Sequence, residues 1–254
     1  MKIVRFAIEK KIQYGILDGR YVRGIKGKPY RDIKPSGERY GLDEIRLLAP
    51  CTPSKIVALG LNYHSHITEM RQDAKTPANP ILFIKPATSV IGPEDKIIYP
   101  PSSTRVDYEG EMGVVIGKKA QWVPEEKWRE YVLGYTCFND VTARDLQSAD
   151  GQWTRSKGFD TFAPMGPWIE TELNPGNLLL ETYLNGERKQ QSSTSLLVFP
   201  VPKLVSFISH VMTLLPGDVI ATGTPAGIGP MQSGDTVEVK IEGIGTLRNY
   251  VVKF

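Results

Sequence analysis

The feature that most limits the fold of this chain is its punctuation. Short strand-like runs follow one another, broken by glycine and proline, and few segments are long enough for a helix. The runs 55–59, 81–85, 113–116 and 219–222 are rich in Ile, Val and Leu, the composition of buried strands. Near the end, Val237, Val239 and Ile241 alternate with Glu238, Lys240 and Glu242, which predicts a half-exposed strand. Gly243-Ile244-Gly245 can turn that strand into a return strand over 246–254. A helical period predicts a helix over 203–215, with Leu204, Phe207, Ile208, Val211 and Leu215 on one face. Pro202 and Pro216-Gly217 bound it. Shorter helices are expected over 125–131 and 142–149. With no regular strand–helix–strand alternation, the pattern predicts an α+β fold with a sandwich- or barrel-like core.

Residues 1–50 read as a small β-rich unit. Alternation over 3–8 leads to Tyr14-Gly15-Ile16-Leu17 and the hairpin signal Asp18-Gly19. Turn chemistry at Lys34-Pro35-Ser36-Gly37 precedes one short helix expected over 42–48. Around Pro50-Cys51-Thr52-Pro53 the chain passes into a main body, residues 51–254.

The hydrophobic content of 41% over 254 residues is enough to bury a sizeable core. The net charge is only +3 and no basic block stands out, so no nucleic-acid partner is expected. Charges interrupt the first eleven residues, unlike a secretory signal. No run reaches the roughly 18 apolar residues of a membrane span. Cys51 and Cys137 are far apart and lack metal-ligand spacing; two buried thiols in a reducing cytoplasm are expected, with a single disulfide as the alternative. A soluble cytoplasmic protein is the expectation.

The chemistry concentrates in carboxylates. Residues 106–117 read as one strand, in which Glu109 and Glu111 point the same way, with Asp107 below them. Met112, Val114 and Ile116 line the other, apolar face. Carboxylates on one face repel unless a cation or solvent compensates them. Mg²⁺, Mn²⁺ or Ca²⁺ would do so, being hard ions that prefer oxygen ligands. Asp140 follows the strand-like run 132–138, where a loop can present it to the same ion. The alternative is a solvated acidic face whose members never meet.

Three histidines are present, so each is weighed. His210 falls towards the polar side of its helix and reads as a surface residue. In a helix starting near His64, His66 and Glu69 lie at i and i+3 and can touch. A carboxylate beside an imidazole holds its tautomer and raises its basicity, which a water-activating pair requires. A surface turn with an incidental ion pair is the other reading. Three carboxylates and one divalent ion sum to about −1, and an anionic substrate would worsen that, which favours an ammonium in contact with the substrate. Lys157 and Lys85 are the candidates, against the ordinary exposed lysine. The glycine-rich stretch 222–230 lacks the ending of a nucleotide P-loop. Thr224 and its backbone can approach a small carboxylate there, or the stretch is a plain turn.

Six ordered motifs together resemble the fumarylacetoacetate hydrolase family. They are Gly-x-Asn-Tyr-x-x-His-x-x-Glu (60–69), Phe-x-Lys-Pro (83–86), Asp-Tyr-Glu-x-Glu (107–111), Asn-Asp-Val-Thr-Ala-Arg-Asp (139–145), Lys-x-Phe-Asp (157–160) and Thr-Gly-Thr-Pro-x-Gly-Ile-Gly (222–229). The resemblance implies a mixed β-sandwich or barrel-like fold, a homodimer, and Mg²⁺ or Mn²⁺ held by Glu109, Glu111 and Asp140. It implies that Lys157 binds the substrate carboxylate or enolate and that His66 and Glu69, on a lid-like segment, activate water. Thr224 would hold the substrate carboxylate, with Gln147 a further candidate, and Asp107 would supply a supporting hydrogen bond. Leu61 departs from the Arg that some acylpyruvate-cleaving members carry there, so their substrate preference does not transfer directly.

The expectation is therefore a metal-dependent enzyme that acts on a small 2-oxo (enol) carboxylic acid through a metal-stabilised enolate. C–C bond cleavage comes first, as acylpyruvate hydrolysis or oxaloacetate-type decarboxylation, because His66–Glu69 suits an activated water. Isomerisation of 2-hydroxyhepta-2,4-diene-1,7-dioate is an alternative, and a non-catalytic metal-binding scaffold is the alternative of another class. A glycosidase would need its carboxyls to flank a bond, roughly 5 to 9.5 Å apart. Neighbours on one strand face fit a shared cation better.

Overall fold

The structure, a computed structural model, describes residues 1–30, 32–70 and 75–254. Its spine is an open 12-stranded sheet. The β-rich runs of the first fifty residues form an antiparallel meander of Lys2–Ile8, Lys11–Asp18, Tyr21–Ile25 and Pro35–Gly41. Lys2–Ile8 pairs with Ala163–Glu170, and the sheet continues through Val132–Asn139, Gly110–Ile116, Val219–Ala221 and Ile56–Gly60 to Ile81–Lys85. Pro35–Gly41 and Ile81–Lys85 are its two edges, so the sheet does not close into a barrel.

A 5-stranded sheet in the order Glu187–Ser193, Leu179–Leu184, Thr236–Ile241, Gly245–Lys253, Lys96–Tyr99 packs on the first. Met112, Val114 and Ile116 from one sheet meet Leu180, Val239, Ile241 and Leu247 from the other in one core, which the helix Val201–Val211 completes with Leu204, Val205 and Ile208. On the far side, Val115, Phe138, Met165 and Val219 pack with Ile3, Tyr14 and Ile25 of the N-terminal strands. The strand Gly110–Ile116 is thus buried on both faces, as continuous apolar runs in sandwiches are. The α+β, sandwich-type expectation matches this architecture. No helix among the described residues is long and apolar enough to cross a membrane.

Several element expectations need correction. Residues 42–48 are not a helix: a turn, in which the Gly41 N–H donates to the Glu44 carboxylate at 2.7 Å, leads into the strand Arg46–Leu48. That strand pairs with Lys2–Ile8, and Ile45 and Leu47 pack on Val4, Phe6 and Val22, so tertiary pairing overrides helical propensity. The helix expected over 203–215 runs from Val201 to Val211, because Leu214 pairs with Ala120 instead. The helix expected over 142–149 is Arg144–Asp150, with Thr142–Ala143 drawn into a strand against Val106 and Asp107. Residues Glu125–Tyr131 form a 3₁₀ helix. The single strand expected over 106–117 divides at Glu109. Val106–Tyr108 joins a 3-stranded sheet with Thr142–Ala143 and Gly229–Met231, and Gly110–Ile116 joins the large sheet. The division has a cause in the facing strand: the Glu109 N–H donates to the Asn139 side-chain carbonyl at 2.9 Å, while the Glu109 carbonyl accepts from the Asp140 N–H at 2.8 Å.

Candidate metal and substrate site

The break at Glu109 swings two adjacent pieces of backbone around one point, and Asp140 arrives from the end of Val132–Asn139. Carboxylate oxygens of Glu109, Glu111 and Asp140 lie within 4.8 Å of one another, all three buried. They are not equivalent. Glu109 accepts Lys157 Nζ on Oε2 at 2.8 Å and Arg144 Nη2 on Oε1. Asp140 accepts Lys85 Nζ on Oδ1 at 2.5 Å and Lys157 Nζ on Oδ2 at 2.6 Å. Glu111 accepts only the Gly223 N–H, on Oε2 at 2.8 Å, and its buried Oε1 has no partner among the described residues.

Electrostatics follows these contacts. Burial opposes ionisation of Glu109, but the Lys157 and Arg144 charges outweigh it and hold this carboxyl well below the usual range. Burial, then repulsion from Asp140 and Glu109, pushes the Glu111 carboxyl well above it. Burial lowers the Lys85 ammonium despite its contact with Asp140. For Lys157, burial is outweighed by Asp140 and Glu109, which raise it. A buried carboxylate oxygen without a donor, flanked by two more carboxylates, fits a hard divalent cation. Glu109, Glu111 and Asp140 are the residues that would hold it.

The imidazole approaches from the helix His64–Met70, where the i, i+3 spacing puts His66 Nδ1 3.0 Å from Glu69 Oε2. Burial opposes ionisation of Glu69, and hydrogen bonds from His66 and the Gly227 N–H lower its carboxyl. That N–H donates to Glu69 Oε1 at 2.9 Å, fastening the helix to the glycine-rich loop. Gly227 has φ +99, and a Cβ there would lie 2.2 Å from the Lys189 carbonyl, so the loop can follow this path only with glycine. Residues 222–228 form an open loop, not a turn. The Thr224 hydroxyl donates to the Gly110 carbonyl at 2.9 Å.

A cavity of about 970 Å³ joins these parts. His66, Glu109, Arg144, Gln147, Lys157 and Thr224 line its polar side, facing Phe83 and Trp153. Lys157 Nζ lies 5.1 Å over the Phe83 ring, within cation–π range. Gln147 accepts from Arg144 Nη1 at 2.6 Å. Lys85 does not line the cavity; it is fully buried behind Asp140 and also donates to the Val141 carbonyl at 3.1 Å. His210 is exposed, edge-on to Trp122.

Sequence reasoning passed over Arg144, whose guanidinium joins Asp107 (Nε–Oδ2 2.9 Å) to Glu109. As the one arginine of the 139–145 motif, beside several carboxylates, it could have been weighed with the lysines. Asn139, which makes the break at Glu109, also stands in that motif. Gly223 stands in the 222–229 motif, and Gln190 carries no local signal.

The chain belongs to the fumarylacetoacetate hydrolase family. Residues 55–252 match the family described as Fumarylacetoacetate (FAA) hydrolase C-terminal, and residues 1–50 match the one described as Rv2993c-like, N-terminal. Protein Rv2993c of Mycobacterium tuberculosis is 46% identical over 263 residues, covering 100% of this chain and 98% of that protein. A mitochondrial oxaloacetate tautomerase of Rattus norvegicus is 42% identical over 221 residues, covering 82% of this chain and 70% of its own length. Among solved structures, 2-hydroxyhepta-2,4-diene-1,7-dioate isomerase from Mycobacterium marinum superposes with a TM-score of 0.93 at 44% identity, covering 100% of this chain and 98% of that one. Maleylpyruvate hydrolase from Sphingobium sp. SYK-6, in complex with manganese(II) and pyruvate, gives 0.83 at 30% identity, covering 100% and 99%. This is a family of enzymes acting on small molecules, and the buried acidic triad suits a divalent metal.

Proposed function

We propose that this enzyme uses a divalent ion, Mg²⁺ or Mn²⁺ with Ca²⁺ a further candidate, to enolise a small 2-oxo carboxylic acid and cleave one of its C–C bonds. Acylpyruvate hydrolysis and oxaloacetate-type decarboxylation are the two forms of that reaction. The observation that carries the reading is Glu111 Oε1, a buried oxygen without a donor among the described residues, in a triad whose Glu109 lines the same cavity as His66. When bound, the ion supplies a Lewis acid for negative charge developing on the 2-oxo oxygen.

The chain's own groups supply the rest. His66, donating through Nδ1 to the ionised Glu69, has no partner on Nε2 among the described residues and can take a proton from water there. Lys157 sets a positive charge beside Glu109 and Asp140, where it draws in an anionic substrate. The backbone N–H of Thr224, whose hydroxyl hydrogen is taken by the Gly110 carbonyl, and the Gln147 amino group would meet the substrate carboxylate from the cavity wall. Lys85, offered from sequence as a substrate contact, is better read as the group that holds Asp140 in place. Asp107 acts through Arg144 on Glu109.

A second reading is favoured by the names of two relatives, a tautomerase and an isomerase. In it His66 moves a proton between carbon and oxygen, and no bond is cleaved. A non-catalytic scaffold fits less well, since His66 and Lys157 both line the cavity and Glu69 is bonded to His66. A homodimer is supported by the edge strand Ile81–Lys85, where Ile81 and Ile84 are exposed. Two free, buried thiols, each pushed up to about 12 by burial, fit a reducing cytoplasm.

A screen of acylpyruvates, oxaloacetate and hydroxylated dienoic diacids with added Mg²⁺ or Mn²⁺ tests the reading. Turnover should vanish after EDTA treatment; undiminished turnover would sink the metal-dependent mechanism. His66→Ala should cut hydrolysis on the order of 100-fold, the lower range for a lost general base, and spare decarboxylation. Equal losses in both would show that the pair does not activate water.

A further inference from the structure

Gln190 lies on Glu187–Ser193, in the 5-stranded sheet, and is 1% exposed. It is not among the residues that line the site cavity, and among the described residues it makes no hydrogen bond to the three carboxylates. Its carboxamide is nevertheless fixed in one orientation. The oxygen accepts the Gly110 N–H at 2.9 Å, so the amino group must face the other way. There it donates to Thr224 Oγ1 at 2.8 Å and to the Pro225 carbonyl at 2.8 Å. Thr224 passes its own hydrogen to the Gly110 carbonyl at 2.9 Å. The ring is closed: Gly110 N–H to Gln190, Gln190 to Thr224, Thr224 to Gly110 C=O.

Gly110 is the residue between Glu109 and Glu111. Thr224 follows Gly223, whose N–H holds Glu111. The ring therefore fixes the glutamate pair and the cavity-lining loop against each other, in surroundings where every bond is buried and strengthened by its neighbours. Position 110 is shaped for it. A Cβ there would lie 2.0 Å from Thr182 Oγ1 and 3.1 Å from Gln190 Oε1.

We propose that Gln190 is a positioning residue that couples the substrate-binding loop to the metal-binding carboxylates. It sets the distance between Thr224 and the Glu109–Glu111 pair, so that a 2-oxo acid can engage the loop and the ion together. The proposal rests on the functional reading above. Its measurable consequence is a binding coupling: pyruvate should tighten Mn²⁺ binding, and Mn²⁺ should tighten pyruvate binding by the same factor.

The test is titration of Mn²⁺ with and without saturating pyruvate, followed by the electron paramagnetic resonance signal of free Mn²⁺. It compares wild type, Gln190→Met, Gln190→Glu and Val239→Ala. Met matches the volume of Gln and makes none of its bonds. Glu keeps the acceptor for Gly110 and, when ionised, loses both donors, which gives a second variant should Met fold poorly. Val239→Ala, a cavity in the same sheet two strands from Gln190 that removes none of the ring's bonds, controls for lost stability. In Gln190→Met and Gln190→Glu the coupling factor should fall at least tenfold, whereas Val239→Ala should keep it. Coupling retained within twofold in either Gln190 variant would overturn the proposal, as would equal loss in Val239→Ala. Absence of Mn²⁺ binding in wild type would overturn the metal reading and the proposal together. Coupling in wild type without turnover of any 2-oxo acid would remove the proposed reaction and leave the role of Gln190 standing.

Discussion

Of the three buried carboxylates, Glu111 is the least compensated. Its neighbours Glu109 and Asp140 each meet two cations, whereas Glu111 meets one backbone N–H. Without an ion, removing its charge should therefore cost little. Glu111→Gln is expected to leave the thermal midpoint of the metal-free protein unchanged or slightly raised, because like-charge repulsion disappears with the carboxylate. With Mn²⁺ at about 100 times its Kd, wild type should gain roughly 5–10 °C, from the mass-action stabilisation of a bound ligand in a domain of this size. The variant should gain none. A Mn²⁺-dependent rise that survived Glu111→Gln would show that the ion, if bound, sits elsewhere. Glu109 with Glu111, and His66 with Glu69, were legible because their spacings are local; Asp140 was legible from its place after the strand-like run 132–138 and in the 139–145 motif. Gln190 was not, since its partners at Gly110 and Thr224 are 80 and 34 positions away and glutamine on a strand has no chemical signature. Lys85 was legible as a cation near the site but not as a buried one, because burial depends on which strands lie over it.

At the scale of elements, the site depends on where Val219–Ala221 lies, since that strand pairs with Gly110–Ile116 on one side and runs parallel to Ile56–Gly60 on the other. Asp218 fixes the start of both. Its Oδ1 accepts the Ser54 N–H at 2.9 Å, the Ser54 hydroxyl at 2.7 Å and the Lys55 N–H at 3.2 Å, and its Oδ2 accepts Lys55 Nζ at 2.6 Å and the Leu215 N–H at 2.8 Å. Burial opposes ionisation, but the hydrogen bonds from Lys55, Leu215 and Ser54 hold this carboxyl below its usual range. A depressed carboxyl means that the unfolded chain binds the proton more readily, so stability rises with pH through this window. The contribution is complete above pH ~4, where an unfolded aspartate is ionised. It is lost as pH falls through the lower, folded value. Asp218→Asn should cost about 2–3 kcal/mol near neutral pH, the scale for losing charge-assisted buried bonds. In denaturant titrations the gap from wild type should close as pH drops below ~4; a gap independent of pH would assign the loss to packing. The elements misread from sequence share a cause with this one. The break at Glu109 and the strand at Arg46–Leu48 are both decided by partners distant in the chain, Asn139 and Lys2–Ile8.

For the whole molecule, the question is whether residues 1–50 are an appendage or part of the frame. Composition alone marks them off as a small β-rich unit, yet Lys2–Ile8 lies in the large sheet, with Ile3 opposite Ile169 and Lys2 opposite Glu170. The N-terminal ammonium sits 2.6 Å from the Glu170 carboxylate, and the Met1 carbonyl accepts the Thr171 N–H at 3.0 Å. Ile3, Tyr14 and Ile25 share one buried cluster with Ala163, Met165 and Ile169. At about 2 kcal/mol for each large side chain buried, those three contribute about 6 kcal/mol, comparable to the roughly 5–15 kcal/mol that holds a typical domain folded. Deleting residues 1–50 would also strip Ile169 and Glu170 of their strand partners and open that end of Ala163–Glu170, the kind of edge that aggregates. Only Val132–Asn139 separates that edge from Gly110–Ile116, the strand that carries Glu111. The fragment 51–254 is therefore expected to be insoluble, or to melt at least 10 °C below the full chain with Mn²⁺ affinity weakened in parallel. Circular dichroism melts and Mn²⁺ titration of the two proteins side by side decide the matter. A fragment with the full chain's midpoint and Mn²⁺ affinity would show that the shared sheet is a seam between two self-sufficient units, and that the site owes nothing to the first fifty residues.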